Sequence, residues 1–175
     1  MSQNQEIERR VLIRKLGKTF PKDLPPINKE HFEQGYFILE PLHKSFRIRI
    51  IDHGAAMLTI KSGEGISRNG DEYPLGDTIA RRLLELTTYR LQKTRYYIDG
   101  WKIDFFEEPF KGLIIAERKL SSTDELVMLP EWMCHAIEIT DILTNQQLAR
   151  LAADPSIKSV DVYLLIEQAT QSVTV

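Results

Sequence analysis

A chain of 175 residues with 42% hydrophobic and 27% charged residues is long enough for one full core and too short for two comfortable domains, so one domain over residues 1–175 is expected. The formal net charge of -2 gives no overall basic footprint for a nucleic-acid backbone. No apolar run approaches a membrane span, the polar opening lacks a secretory pattern, and the one cysteine permits no internal disulfide, all of which point to the cytoplasm.

Glu6-Ile7-Glu8-Arg9-Arg10-Val11-Leu12-Ile13 alternates as a strand, with Glu6, Glu8 and Arg10 on one face and Ile7, Val11 and Ile13 on the other. Pro21, Pro25 and Pro26 then mark an irregular passage leading to a second strand at Gln34–Leu39, ended by Pro41. Phe46–Ile50 and Met57–Lys61 alternate as well, and Gly54 and Gly63 supply turns for an antiparallel meander. Ser62–Arg68 contains two glycines but lacks Walker spacing and a dinucleotide fingerprint, so it reads as a connection between strands.

At Asp77 the period changes. Ile79, Ala80, Leu83, Leu84 and Leu91 recur at helical spacing after an Asp77 or Thr78 N-cap, which predicts an amphipathic helix to Gln92 covering an apolar sheet face. Alternation returns in Lys93–Ile98, Trp101–Phe106 and Leu113–Leu120, and Asp99-Gly100 is a two-residue hairpin signal. Beyond Pro130, Thr144–Leu151 reads as a helix, while Ser159–Gln168 fits a strand or a helix. Side chains of Cys134 and His135 would diverge on an extended segment, which favours a plain buried thiol over a catalytic pair.

Same-face charges at alternate positions recur in Glu6/Glu8/Arg10, Arg47/Arg49, Lys93/Arg95 and Glu117/Lys119, with single candidates at Lys61, Arg68, Glu72 and Asp104. A flat sheet would turn them to water. The helix from Asp77 needs an apolar sheet face, however, and the opposite face of these strands supplies it. If the sheet curls around its polar face, a cluster of Arg and Lys inside it calls for a polyanion, and neighbouring acids suit a divalent cation that bridges to it.

These residues resemble the CYTH superfamily, the triphosphate tunnel metalloenzymes. Glu6-Ile7-Glu8-Arg9-Arg10 is similar to its Glu-x-Glu-x-Lys signature. The likeness continues through Arg47-Ile48-Arg49, Leu58-Thr59-Ile60-Lys61, Gly65-Ile66-Ser67-Arg68 with Glu72-Tyr73, Lys93-Thr94-Arg95-Tyr96, Trp101-Lys102-Ile103-Asp104, Ala116-Glu117 and Pro130-Glu131-Trp132. It covers about residues 5–150 and leaves 151–175 as a C-terminal extension. It implies an α+β fold: an eight-stranded antiparallel β-tunnel with a charged interior and helices packed outside. It also implies Mg²⁺- or Mn²⁺-dependent chemistry on a triphosphate-bearing small molecule, while the charge and the apolar pattern argue against nucleic acid or a membrane as partner. The oligomeric state stays open, a homodimer being one option.

The short bacterial members are associated with inorganic triphosphatase activity, and other branches with thiamine triphosphatase or adenylate cyclase. On this resemblance Arg47, Arg49, Lys61, Arg68, Lys93, Arg95 and Lys119 are expected to hold phosphate oxygens. Glu6, Glu8, Glu117, Glu72 and Asp104 are expected to hold the metal, and Glu6, Glu8, Arg10 and Lys61 form the expected catalytic set. Three positions depart from the family pattern: Arg10 replaces a lysine, and Gly70 and Lys119 replace acids. The lost acids also motivate an alternative, a non-catalytic binder of polyphosphate or nucleotide.

Overall fold

The computed structural model describes residues 6–21, 25, 28–39, 44–62 and 67–172, which form nine strands and three α-helices. The strands are β1 (Glu6–Leu16), β2 (Lys29–Leu39), β3 (Lys44–Ile51), β4 (Ala56–Ser62), β5 (Ser67–Leu75), β6 (Tyr89–Ile98), β7 (Trp101–Phe106), β8 (Ile114–Leu120) and β9 (Met133–Glu138). The helices are α1 (Asp77–Leu86), α2 (Asn145–Ala152) and α3 (Ser159–Ser172). The sheet is antiparallel in the order β5-β4-β3-β2-β6-β7-β8-β1-β9. A further pairing of Glu6 with Arg68 and Ile7 with Ser67 joins β1 to β5 and so links the two ends of an eight-strand order. The same side of β1 passes from β5 to β9 along its length, so β9 continues the sheet where β5 leaves off. This is the expected α+β, tunnel-like architecture with one additional strand.

Directly opposed residues in paired strands share a face. The register therefore carries one face continuously from Glu8 and Arg10 through Glu117, Asp104, Arg95, Lys93 and Phe32 to Gln34, Arg49, Arg47, Thr59 and Glu72. Further along the strands that face becomes apolar, with Leu12, Ile115, Phe106, Leu91 and Tyr36. Leu148 and Ala149 of α2 pack there with Leu143 and Ile139, and Val162 and Ile166 of α3 belong to the same cluster. The amphipathic α2 thus covers the apolar end and leaves the charged end to the site.

The other face buries Val11, Ile13, Ile103, Trp101 and Ala116 with Trp132 and Met133 in one cluster, and Ile48, Ile50 and Ala56 with Ala80 and Leu84 of α1 in another. That second cluster is the helix cover expected from the periodicity after Asp77. Asp99 (φ 49°) and Gly100 (φ 78°) both take left-handed backbone between β6 and β7, the geometry of the hairpin that their dipeptide signals.

Several boundaries differ from the sequence expectations. α1 stops at Leu86 rather than Gln92, because Thr87 turns extended and its hydroxyl donates 2.5 Å to the carbonyl of Tyr36 on β2. Leu91, which matched the helical period, belongs to β6, which starts at Tyr89 and pairs with β2. The N-cap of α1 is Gly76, and Asp77 instead pairs with Arg81 one turn on. β2 begins at Lys29, inside the passage read as irregular, and Arg68 lies within β5. β9 was not expected, and Ser159–Gln168 is helical as part of α3. Gly63 and the rest of 63–66, within the connection expected at Ser62–Arg68, lie outside the described residues.

Candidate active site

The centre of the charged face is a buried ionic network. Asp104, fully buried on β7, accepts from Arg95 Nε at 2.6 Å, Arg95 Nη2 at 2.7 Å and Lys93 Nζ at 2.5 Å. Arg95 Nη2 also donates to Glu117 Oε2 at 2.9 Å, and Arg10 Nε stands 3.0 Å from Glu117 Oε1 as an ion pair without hydrogen-bond alignment. Four strands therefore meet at five charges: β1 supplies Arg10, β6 Lys93 and Arg95, β7 Asp104 and β8 Glu117.

The start of α2 reaches the same network. Asn145 Nδ2 donates to Glu117 Oε1 at 3.2 Å, its Oδ1 accepts from Lys93 at 3.4 Å, and the carbonyl of Leu143 accepts from Arg10 Nη1 at 2.5 Å. Thr144 caps α2 reciprocally with Gln147, which fixes the orientation of that end.

Charge states follow from this packing. Burial lowers the Lys93 pKa to about 8 even though Asp104 supports its charge. Burial also opposes the Arg95 charge, but Asp104 and Glu117 more than offset it and raise its pKa. For Glu117 the burial penalty is overcome by Arg10, Arg95 and Lys93, so its carboxyl is held well below the ordinary range.

Beside the network lies a second, more open group. Glu72 Oε1 accepts from Arg47 Nη2 at 3.2 Å, Arg49 Nη2 at 3.4 Å and Thr59 Oγ1 at 3.1 Å. Arg47 Nη2 also donates to Thr59 at 3.0 Å. Three donors on one carboxylate oxygen form a cradle suited to a phosphate oxygen. Arg47 Nε, Arg49 Nε and Arg10 Nη2 are buried donors without a hydrogen-bond partner among the described residues. Burial lowers the Arg49 pKa, with Arg47 contributing in the same direction.

Glu8 Oε1 contacts Lys102 Nζ at 3.3 Å, and Lys119, in register with Glu8, is exposed on β8. Glu6 is in register with Arg68, and Lys61 with Ser45 and Gly70; nothing more is described for these side chains. Among the described residues of this face, Arg10, Arg47, Arg49, Lys93, Arg95, Lys102 and Lys119 outnumber Glu8, Glu30, Glu72, Asp104 and Glu117, so its net charge is positive.

No family model matches the chain. An inorganic triphosphatase of Acetivibrio thermocellus is 29% identical over 108 residues, which is 58% of this chain and 69% of that relative. A solved structure described as the hypothetical protein NE1496 superposes with a TM-score of 0.59 at 25% identity, over 82% of this chain and 97% of that one. A second, described as the inorganic triphosphatase NE1496, gives a TM-score of 0.59 at 24% identity over 87% and 96%. The chain shares its fold with these solved structures and resembles the Acetivibrio triphosphatase in sequence.

The register brings Glu8 and Arg10 of β1 and the expected residues of β3, β6, β7 and β8 to one face, together with Glu72 of β5. No sequence pattern marks Asn145 or Thr59 as a site residue. Thr59 lay inside the Leu-Thr-Ile-Lys motif, whereas Asn145 stood in a helix with no visible link to the strands. Cys134 is half-buried rather than buried, with its Sγ 3.6 Å from the carbonyl of Glu131, and His135 is exposed.

The described acids do not fit a metal site as they stand. No group of three or more His, Cys, Asp or Glu converges among the described residues, and Glu8, Glu72, Asp104 and Glu117 are each paired with cations of the same face.

Proposed function

We propose that this protein hydrolyses inorganic tripolyphosphate or another triphosphate compound on the charged face of its sheet. The observation that carries this reading is the set of buried guanidinium donors that have no hydrogen-bond partner among the described residues, at Arg10, Arg47 and Arg49 on a positive face. Buried charged donors are stabilised by an acceptor, and a chain of phosphates offers several at once. The names of the similar proteins support the same substrate class.

Arg47, Arg49 and Thr59 take one phosphoryl group where Glu72 now accepts, while Lys61, Arg68 and Lys119 serve others. Lys93 and Arg95 lie deeper and supply field through the network with Asp104 and Glu117. A water oxygen bonds to the terminal phosphorus as the bridging P–O bond breaks, releasing orthophosphate and pyrophosphate. Charge neutralisation and alignment lower that barrier, since phosphoryl transfer asks little covalent chemistry of a protein. Dependence on Mg²⁺ or Mn²⁺ through Glu6, Glu8, Glu72, Asp104 and Glu117 is a further part of the proposal. It requires some of these acids to leave their present cation partners.

The test is single-turnover incubation with tripolyphosphate, ATP and thiamine triphosphate, with and without Mg²⁺ or Mn²⁺. Orthophosphate from tripolyphosphate is the expected product, and Arg49→Ala should weaken binding by about 1.5–3 kcal/mol, the scale of a hydrogen bond to a charged group. Binding without phosphate release would favour the non-catalytic polyphosphate or nucleotide binder, for which the departures at Gly70 and Lys119 speak. Wild-type affinity in Arg49→Ala would remove the charged face as the phosphate site.

A further inference from the structure

Arg95 is fixed from two sides by short bonds to Asp104 and Glu117, whereas among the described residues Arg49 has one hydrogen bond, of 3.4 Å, to Glu72. That carboxylate is itself 42% exposed, and Arg49 Nε has no hydrogen-bond partner among the described residues. Some other contact must hold Arg49. The ring of Phe32, only 2% exposed, lies 5.6 Å from Arg49 Cζ and 5.3 Å from Arg95 Cζ.

This placement follows from the topology. β2 lies between β3 and β6, with Gln34 opposite Arg49 and Glu30 opposite Arg95. Phe32 sits between Gln34 and Glu30 on the same face of β2, diagonal to both arginines. It is an apolar ring where the surrounding face is charged.

We propose that Phe32 is a positioning residue that holds the Arg49 guanidinium ready for phosphate, a role that rests on the phosphate-binding reading above. A guanidinium over an aromatic ring is attracted by the negative face of the ring quadrupole, and its in-plane N–H donors stay available. The contact therefore orders Arg49 without occupying the donors that a phosphate oxygen needs. A second carboxylate would order it too, but would compete with the substrate. Both guanidinium groups lie against the one ring, and the charge of Arg95 opposes that of Arg49.

The test replaces Phe32 in the full chain by mono-, di- and trifluorinated phenylalanine, which keep the ring's shape while weakening its quadrupole. Tripolyphosphate affinity is measured by calorimetry in excess EDTA, with circular dichroism as the check on folding. Affinity should fall stepwise by about five- to tenfold across the series, the scale of a partly desolvated cation–π contact. The dependence should flatten in Arg49→Ala. A flat series in a wild-type chain that binds normally would overturn the role of Phe32 and leave the phosphate site standing. An undiminished dependence without Arg49 would overturn the assignment to that arginine. A wild-type chain that binds no tripolyphosphate would instead remove the phosphate reading and this proposal with it.

Discussion

Glu117 shows why a buried carboxylate on this face is both costly and stabilising. Burial alone would raise its pKa, yet Arg10, Arg95 and Lys93 hold it well below the ordinary 4.5. A carboxyl depressed in the folded state contributes stability that is present above the unfolded pKa and lost as pH falls through the folded one. Glu117→Gln should therefore destabilise the protein by roughly 3–5 kcal/mol at neutral pH, because it leaves buried cations uncompensated. The loss of stability on acidification below about pH 4.5 should also become shallower. Urea unfolding across pH 3–7 measures both, and parallel acid profiles for variant and wild type would show that Glu117 does not carry this linkage.

Among the elements, α1 depends on one glycine of the strand beneath it. A Cβ on Gly35 would lie 2.6 Å from Thr87 Cγ2 and 2.7 Å from Leu84 Cδ2, at the end of the helix that packs on β2, β3 and β4. Leu84 can shift its side chain, but Thr87 is tied by its hydroxyl to Tyr36. Gly35→Ala is therefore expected to cost about 1–3 kcal/mol, the range for overpacking. The urea midpoint should fall at unchanged slope, and an unmoved midpoint would mean that α1 tolerates the displacement. The same Thr87 contact explains the helix boundary. Leu91 continues a 3.6 period in the sequence, but pairing of Tyr89–Gln92 with Gly35–Glu33 and neighbouring residues of β2 overrides that local preference.

Across the whole molecule, the proposed metal dependence turns on how many carboxylates are free of cation partners. Lys119 faces Glu8 across β1 and β8, and Gly70 faces Lys61 across β4 and β5, so both departures fall on the strands of the charged face. A cation or a bare backbone at these positions favours ground-state binding, which does not itself accelerate the chemical step. The native protein should thus turn over slowly. The combination of Lys119→Glu and Gly70→Glu should raise metal-dependent phosphate release and tighten Mn²⁺ binding by roughly tenfold or more, a scale known for changes around metal ligands. Equal rates and equal Mn²⁺ affinity in both proteins would show that these positions do not govern metal use.

The sequence by itself determined which residues are charged at alternate positions, and strand periodicity was enough to put Glu8 with Arg10, Arg47 with Arg49 and Lys93 with Arg95, because a pleat repeats every two residues. It also determined the Asp99-Gly100 hairpin, whose backbone needs residues that accept positive φ. Only the tertiary structure decided which of those charges neutralise one another. Asp104 and Glu117 lie far from Arg10 along the chain, and their pairing depends on the register of β1 with β8 and of β6 with β7. The structure alone also brought Asn145 to the network and α2 to the apolar end of the face, contacts that no local pattern encodes. β9 and the helical state of Ser159–Gln168 were decided the same way, because short apolar segments suit either backbone until a neighbouring surface selects one.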